Sequence, residues 1–334
     1  MKVCIYGAGA VGCTLAGRLH RGGAEVSVVA RGANLAAIRA KGITVETPSR
    51  RWQSPVRVSD EPGTLGPQDA VIVAVKAPAL GAIAPGLAQL LGRDTPVAFV
   101  MNGIPWWYFA HHGGPMDGRR LPKIDPGDAM WTTVGPDRAL GGVILASCDL
   151  VAPGEVHVET PKSTLYLGEP AGGTARAEAL AALLRDDDFT VNATADIRQA
   201  IWAKLQMNLC SGLFGCLSNG APSATFHIPA VADAVRKVAP ASAAMGHPTQ
   251  FDAEANIARA TKQRHRSSIV QDLDAGRPME FHPTFGTPQE FGQAMGVPTP
   301  TMDLLIALVE ARARAAGAFP LNDAAGAYPE GTPA

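Results

Sequence analysis

The 334-residue sequence lacks the features that mark several specialised classes of protein. No apolar run reaches the roughly 20 residues that a membrane-spanning helix needs, so we predict no association with a membrane. A net charge of −1 offers no basic surface for nucleic acid, and we expect no nucleic-acid partner. The hydrophobic fraction of 46% is ordinary for a globular protein, and the length is sufficient for two domains.

Metal-binding and disulfide patterns are missing as well. The five cysteines form no CxxC pair and the eight histidines form no HExxH motif, so we predict no metal. An odd number of cysteines without a disulfide framework favours a reducing compartment. Because the chain opens directly with a predicted core strand, we expect no signal peptide and a cytoplasmic location.

What the sequence does contain is a strand, a glycine-rich turn and a helix at its start. The predicted strand, residues 2–6, leads into a turn made of Gly7, Ala8, Gly9, Ala10, Val11 and Gly12. This GxGxxG motif between a strand and a helix is the dinucleotide-binding fingerprint. Gly7 permits the tight turn, Gly9 lets the backbone approach a pyrophosphate, and Gly12 brings the helix close to the strand. The helix N-terminus offers free N–H groups and a positive dipole end to the phosphates.

The end of the second predicted strand, residues 25–30, indicates which dinucleotide binds. An NAD site usually carries an acidic residue about 20 residues beyond the fingerprint, hydrogen-bonded to the ribose 2′-hydroxyl. Here the strand leads to Arg31, whose guanidinium suits the 2′-phosphate of NADP(H) through paired charge-assisted hydrogen bonds. A solvated surface arginine is the alternative. The sequence therefore favours NADP(H) over NAD(H).

Strand and helix signals alternate to about residue 103 and predict an α/β sheet, and further strands are predicted between residues 141 and 192. The continuous apolar runs 70–75 and 96–101 are typical of parallel strands buried on both faces. Lys76 follows the first run and Asn102 the second, at the carboxyl ends where such sheets bind ligands. A solvated lysine and a simple Asn-Gly turn are the alternative interpretations.

Three local predictions accompany this pattern. Asn34 is expected to cap a short helix over residues 35–41. A polar turn is expected between two short strands at residues 43–46 and 56–58. The aromatic run 106–109 is predicted to form a short helix that anchors an irregular loop onto the domain.

Strand signals stop at about residue 195, and helical periodicity continues to about residue 316. We therefore predict an N-terminal domain over residues 1–195, a helical domain over 196–320 and a frayed tail over 321–334.

Two polar residues of the helical half are candidates for chemistry. Lys204 and Asn208 are four residues apart and share one face of a predicted helix, residues 196–214. Apolar neighbours favour partial burial of Lys204, and desolvation makes the proton of a lysine easier to donate. A lysine that packs its stem and keeps its ammonium in water is the alternative. Glu280 stands between two apolar residues, and burial of a carboxylate without a partner is costly.

Together these motifs resemble those of the ketopantoate reductase (2-dehydropantoate 2-reductase) family, over roughly residues 1–316. The matching positions, in order, are GAGAVG, Arg31, Val75-Lys76, Asn102-Gly103, Trp202-Ala203-Lys204, Asn208, the SSIVQD run at 267–272, Gly276-Arg277 and Glu280. The resemblance implies an N-terminal Rossmann dinucleotide-binding domain followed by an all-helical C-terminal domain, with the active site in the cleft between them. Members of the family reduce a 2-keto acid with NADPH, and the namesake reaction belongs to pantothenate and coenzyme A biosynthesis.

The resemblance also implies roles for individual residues. Lys204 would be the general acid that protonates the carbonyl oxygen as hydride reaches the carbon. Glu280 would bind a substrate hydroxyl and interact with Lys204, and Ser268 would hold the substrate carboxylate. Three further residues match family positions that line or lie near the cofactor or substrate site: Asn102, Asn208 and Lys76.

Two departures from the family pattern leave the substrate open. Gly212 and His265 stand where the family usually has asparagines, and the loop 106–128 is longer than in compact members. Another branched 2-oxo acid is therefore an alternative substrate. A catalytically silent NADP-binding regulatory protein is a further alternative, although the presence of Lys204 and Glu280 argues against it. The sequence leaves a homodimer open.

Overall fold

The chain forms two compact units in a computed structural model that describes residues 1–244, 246–247 and 252–320. The N-terminal unit comprises Met1–Met101, Pro105–Leu121 and Gly127–Ile197. The C-terminal unit comprises Asn102–Ile104, Pro122–Pro126 and the described residues from Arg198 onward. The predicted tail, residues 321–334, lies outside the described residues.

The strands of the described chain all lie in its N-terminal part. Numbered in chain order they are β1 (Lys2–Tyr6), β2 (Glu25–Val29), β3 (Ile43–Glu46), β4 (Arg51–Ser54), β5 (Arg57–Ser59), β6 (Ala70–Val73), β7 (Val97–Val100), β8 (Ala139–Leu145), β9 (Cys148–Ala152), β10 (Glu155–Val158), β11 (Ser163–Gly168) and β12 (Phe189–Thr194). The larger sheet has the order β12-β11-β8-β7-β6-β1-β2-β5, and only its β8–β11 pair is antiparallel. A smaller sheet has the order β4-β3-β10-β9. The predicted parallel α/β sheet is confirmed.

Helices connect these strands and make up the C-terminal unit. They are α1 (Ala10–Arg21), α2 (Gly32–Lys41), α3 (Leu80–Ala88), α4 (Ala129–Thr133), α5 (Ala175–Leu184), α6 (Ile197–Ser218), α7 (Pro229–Ala244), α8 (Ala253–Ala260), α9 (Ser268–Asp274), α10 (Thr287–Ala294) and α11 (Pro300–Ala315). A π-helical turn, His282–Gly286, immediately precedes α10. Within the described ranges, none of these helices has the length and apolar character needed to span a bilayer. The predicted helical C-terminal half is confirmed.

The pattern of burial explains the sheet. Every residue of β6 and β7 is buried, as expected for parallel strands covered on both faces. Helix α1 contacts strands of both sheets, and its small and apolar side chains Cys13, Leu15, Ala16 and Leu19 are fully buried. The helix that follows the glycine-rich turn is therefore fixed by the core of the N-terminal unit.

A buried charged cluster anchors the other end of α1. Arg18 is 2% exposed, and its Nη1 lies 2.7 Å from Oδ1 of Asp188, in the turn before β12. The hydroxyls of Thr47 and Ser49 donate to Oδ2 of Asp188 at 3.0 and 2.9 Å. Burial raises the pKa of Asp188, but the bond from Arg18 and the two hydroxyls outweigh it and hold the pKa below its ordinary value.

Replacing Asp188 by Asn is expected to lower the free energy of unfolding by about 2 kcal/mol, because it removes the nearer of two carboxylates from the buried Arg18 guanidinium and leaves Asp186 at 3.7 Å. Since folding lowers the pKa of Asp188, its contribution is complete above the ordinary aspartate pKa. The contribution is lost as the pH falls through the folded value. Urea denaturation of the wild-type protein and of Asp188→Asn across an acid pH series measures the difference in their free energies of unfolding. The adjacent Asp187, whose side chain is 99% exposed, provides the matched Asp187→Asn control. Equal losses in the two variants would contradict the prediction.

The three local predictions were wrong in part. Helix α2 begins at Gly32, and the Asn34 side chain does not cap it but bonds the Ala8 carbonyl and the Gly154 N–H, both at 3.1 Å. Strand β4 lies where a polar turn was predicted between strands. The aromatic run 106–109 forms turns rather than a helix, although its four rings are buried as anchors.

Candidate active site

The glycine-rich turn has the geometry that a dinucleotide pyrophosphate requires. Gly7 has a φ of +111°, and a Cβ there would lie 2.7 Å from Cγ1 of Val75. A Cβ on Gly12 would lie 1.9 Å from the Gly7 carbonyl oxygen, so α1 touches the turn directly. A Cβ on Gly9, by contrast, would have no neighbour within 4 Å. The turn is therefore closed toward the protein at two glycines and open at the third.

The start of α1 provides donors at this open side. Gly9 occupies the N-cap position and no side chain caps the first turn, so the N–H groups of Ala10 and Val11 have no capping side chain. A twelve-residue helix with an uncapped N-terminus favours an anion at that end. Ala8, the residue between the first two glycines, has a small buried side chain. The turn residues therefore fit a dinucleotide pyrophosphate.

Strand register brings the other predicted cofactor residues to the same edge of the sheet. Tyr6, the last residue of β1, pairs with Val29 at the end of β2 and with Val73 at the end of β6. Arg31 lies just after β2, exposed, at the N-cap position of α2. Lys76 is also exposed and lies three residues beyond β6. The sheet thus presents two cations on either side of the glycine-rich turn.

In the C-terminal unit, an ammonium, an amide and a carboxylate form a polar triad of Lys204, Asn102 and Glu280. The Lys204 Nζ donates to Oδ1 of Asn102 at 2.8 Å. Nδ2 of Asn102 in turn donates to Oε2 of Glu280, also at 2.8 Å. Glu280 is only 6% exposed, whereas Lys204 and Asn102 are half-buried. The amide therefore accepts from the Lys204 amine and donates to the Glu280 carboxyl group, which orients both side chains.

Three separate segments supply the triad. Lys204 is the eighth residue of α6, and Glu280 lies two residues before the π-helical turn. Asn102 belongs to the short segment that leaves β7 and joins the C-terminal unit. This segment is held by a hydrogen bond from the Ile104 N–H to the Pro283 carbonyl oxygen at 2.8 Å. The backbone thus fixes the amide before any substrate arrives.

The other predicted substrate residues stand apart from the triad. Asn208 is half-buried one turn beyond Lys204 on α6, and Ser268 is exposed at the first position of α9. Among the hydrogen bonds of the described residues, neither side chain bonds a member of the triad. His265 is half-buried in the segment before α9.

A cavity of about 340 Å³ opens in the C-terminal unit. It is lined by residues of α6 and by α8 with the residue before it: Ala203, Gln206, Met207, Asp252, Ala255, Asn256 and Arg259. No member of the triad lines it. We therefore treat the triad, in which two ionisable side chains share one amide, as the candidate site.

Comparisons with known proteins agree on one family. The family model for ketopantoate reductase PanE/ApbA matches residues 3–172. The family model for the C-terminal part of ketopantoate reductase PanE/ApbA matches residues 196–313. A 2-dehydropantoate 2-reductase of Mesorhizobium japonicum is 36% identical over 327 residues, covering 96% of this chain and 100% of the relative.

Solved structures show the same similarity. A Ralstonia solanacearum protein assigned to the ketopantoate reductases superposes with a TM-score of 0.86 at 35% identity, covering 95% of this chain and 99% of its own. The 2-dehydropantoate 2-reductase of Geobacter metallireducens gives a TM-score of 0.80 at 25% identity, covering 93% of this chain and 99% of its own.

Proposed function

Because the chain belongs to the ketopantoate reductase PanE/ApbA family, we propose that it reduces 2-dehydropantoate to pantoate with NADPH. It is an oxidoreductase that acts on a carbonyl and alcohol pair. The observation that carries the proposal is the polar triad, in which an oriented ammonium and a buried carboxylate flank one amide. The product would enter pantothenate and coenzyme A biosynthesis.

The N-terminal domain, residues 1–195, would hold the cofactor. The open side of the turn at Gly9 and the uncapped start of α1 support binding of the pyrophosphate. Arg31 at the end of β2 supports NADPH over NADH, since a guanidinium pairs with the 2′-phosphate. Lys76 would provide a second cation near the cofactor. When bound, NADPH supplies the hydride.

The helical domain, residues 196–320, would bind and protonate the keto acid. Negative charge develops on the carbonyl oxygen during reduction, and the Lys204 ammonium both stabilises this charge and donates the proton. Asn102 accepts a hydrogen bond from this ammonium, which would hold it in position to protonate the substrate. Glu280, whose Oε2 accepts from the Asn102 amide, would also accept a hydrogen bond from the substrate hydroxyl. Ser268 would bind the substrate carboxylate and Asn208 the body of the substrate.

A steady-state assay of NADPH oxidation tests this proposal. We expect turnover with 2-dehydropantoate to exceed that with branched 2-keto acids that lack its hydroxyl group. Faster turnover of an unhydroxylated acid would favour the second candidate, reduction of another 2-oxo acid. That candidate is favoured by Gly212 and His265, which replace polar amides of the family pattern. Binding of NADPH without turnover of any 2-keto acid would favour a silent regulatory protein.

Replacing Arg31 by Ala is expected to weaken NADPH binding about tenfold and to leave NADH binding within about twofold, because only NADPH carries the 2′-phosphate. Fluorescence titration of the two cofactors measures both constants. Arg39, exposed in the last turn of the same helix, provides the matched Arg39→Ala control. An unchanged NADPH constant in Arg31→Ala would remove Arg31 from the cofactor site.

Two further expectations concern the cellular location and the oligomeric state. We propose a cytoplasmic location, which the five cysteines support because none of them forms a disulfide in the part of the chain that the structure describes. A homodimer is the oligomeric state that we propose to test, and light scattering of the purified protein distinguishes it from a monomer.

A further inference from the structure

The π-helical turn His282–Gly286 is packed against two glycines. Gly103 has a φ of +77°, and a Cβ there would lie 2.2 Å from the Pro283 carbonyl oxygen. A Cβ on Gly212 would lie 2.9 Å from Cζ of Phe285. Both distances are shorter than any ordinary carbon contact, so each approach requires the absence of a side chain.

Each glycine lies on an element that carries a member of the polar triad. Gly103 directly follows Asn102, and Gly212 lies eight residues beyond Lys204 on α6, on the same face of the helix. The π-helical turn begins two residues after Glu280. The turn therefore contacts both of the elements that must be held at the correct distance from Glu280.

We propose that the π-helical turn sets the spacing of the triad and that Gly103 and Gly212 are positioning residues for the reduction. This inference rests on the proposed function. The Asn102 amide must reach Lys204 and Glu280 at once, with 2.8 Å on each side, so it tolerates little relative movement of the three segments.

Phe285 transmits the position of α6 to Glu280. Its ring is fully buried and packs edge-on against Phe281, with 5.7 Å between the ring centroids. Phe281 is the residue next to Glu280. Since a buried ring in a close-packed core has no free space to enter, a side chain at position 212 must displace the turn and the carboxylate together.

A matched position on the same helix separates positioning from general packing. A Cβ on Gly215 would lie 2.8 Å from Cγ2 of Val270, which is nearly the same crowding as at Gly212. Val270 lies on α9, so this contact does not involve the π-helical turn. Gly215→Ala should therefore cost comparable stability without moving the triad.

Steady-state kinetics of four variants test the inference: Gly212→Ala, Phe285→Leu, their combination and Gly215→Ala. We expect Gly212→Ala to lower kcat about 30-fold with KM for NADPH unchanged. The combination with Phe285→Leu removes the ring atoms nearest the new methyl group and should recover kcat to within about threefold. Gly215→Ala should keep kcat within about twofold at saturating keto acid, because α9 carries the proposed binding residue Ser268 and no member of the triad, and its melting temperature should fall to a similar extent.

An unchanged kcat in Gly212→Ala, or an equal loss in Gly215→Ala, would overturn the inference while leaving the proposed function intact. A wild-type protein without keto-acid reduction would instead count against the proposed function. Crystal structures of wild type and Gly212→Ala then decide the inference without activity. We expect the separation of Asn102 Nδ2 from Glu280 Oε2 to exceed about 3.5 Å in the variant. If Gly212→Ala does not fold, Gly103→Ala takes its place. Its kcat and its separation of Asn102 Nδ2 from Glu280 Oε2 are then compared with those of wild type.

Discussion

Replacing Lys204 by Ala is expected to lower kcat for 2-dehydropantoate about 1,000-fold, because one residue supplies both charge stabilisation and the proton. Its ammonium is already oriented, with the Nζ atom 2.8 Å from Oδ1 of Asn102. Preorganised charge of this kind needs no rearrangement as the oxygen becomes negative. The measurement is kcat at saturating NADPH and keto acid, together with a fluorescence titration that should find NADPH affinity within about twofold of wild type.

Two further variants sharpen the result. Lys204→Arg keeps a positive charge but offers a guanidinium that does not release its proton, so its kcat should also stay low. Lys237 is an exposed lysine on α7 of the same unit, and Lys237→Ala should leave kcat unchanged. Retention of more than about a tenth of the wild-type kcat in Lys204→Ala would contradict the role as general acid.

The parts of the fold that the sequence predicts are those with local signals. The apolar runs that became β6 and β7 are continuous because both faces are covered, and the glycine-rich turn follows β1 at fixed spacing. The placement of Lys204 and Asn208 on one face of a helix also follows from spacing alone. Each of these features depends on neighbours within a few residues along the chain.

The contacts that assemble the triad have no such signal. Asn102 is 102 residues from Lys204 and 178 from Glu280, and no periodicity relates residues so distant. Tertiary hydrogen bonds also overrode a local preference at Asn34, whose amide bonds two distant backbone groups instead of capping α2. The close approach of Gly212 to Phe285 depends likewise on the packed structure, since a glycine inside a helical pattern does not indicate what lies against it.

Replacing Glu280 by Gln is expected to lower kcat/KM for 2-dehydropantoate about 100-fold, because a hydrogen bond to a charged group is lost from a buried site. Glu280 is 6% exposed, and its Oε2 accepts the Asn102 amide. A glutamine preserves the shape but offers only one acceptor oxygen. That oxygen cannot serve both Asn102 and a substrate hydroxyl equally well. The effect should be smaller, about tenfold, for the analogue whose hydroxyl is replaced by hydrogen, since it never made that bond.

The comparison of the two substrates separates a binding role from a general loss of structure. Glu290, on α10 of the same unit, is a partly buried carboxylate whose Oε1 lies 2.7 Å from Nζ of Lys123, so Glu290→Gln removes a similar charge. This control should reduce the two rates by the same small factor, because the ion pair with Lys123 does not include the triad. If Glu280→Gln likewise reduced both rates equally, the carboxylate would act by orienting Asn102 and Lys204 rather than by binding the hydroxyl. The quantity to measure is therefore the ratio of kcat/KM for the hydroxylated acid to kcat/KM for its analogue. Losses that affect both reactions equally cancel in this ratio, so a change in it reports the contact with the substrate hydroxyl.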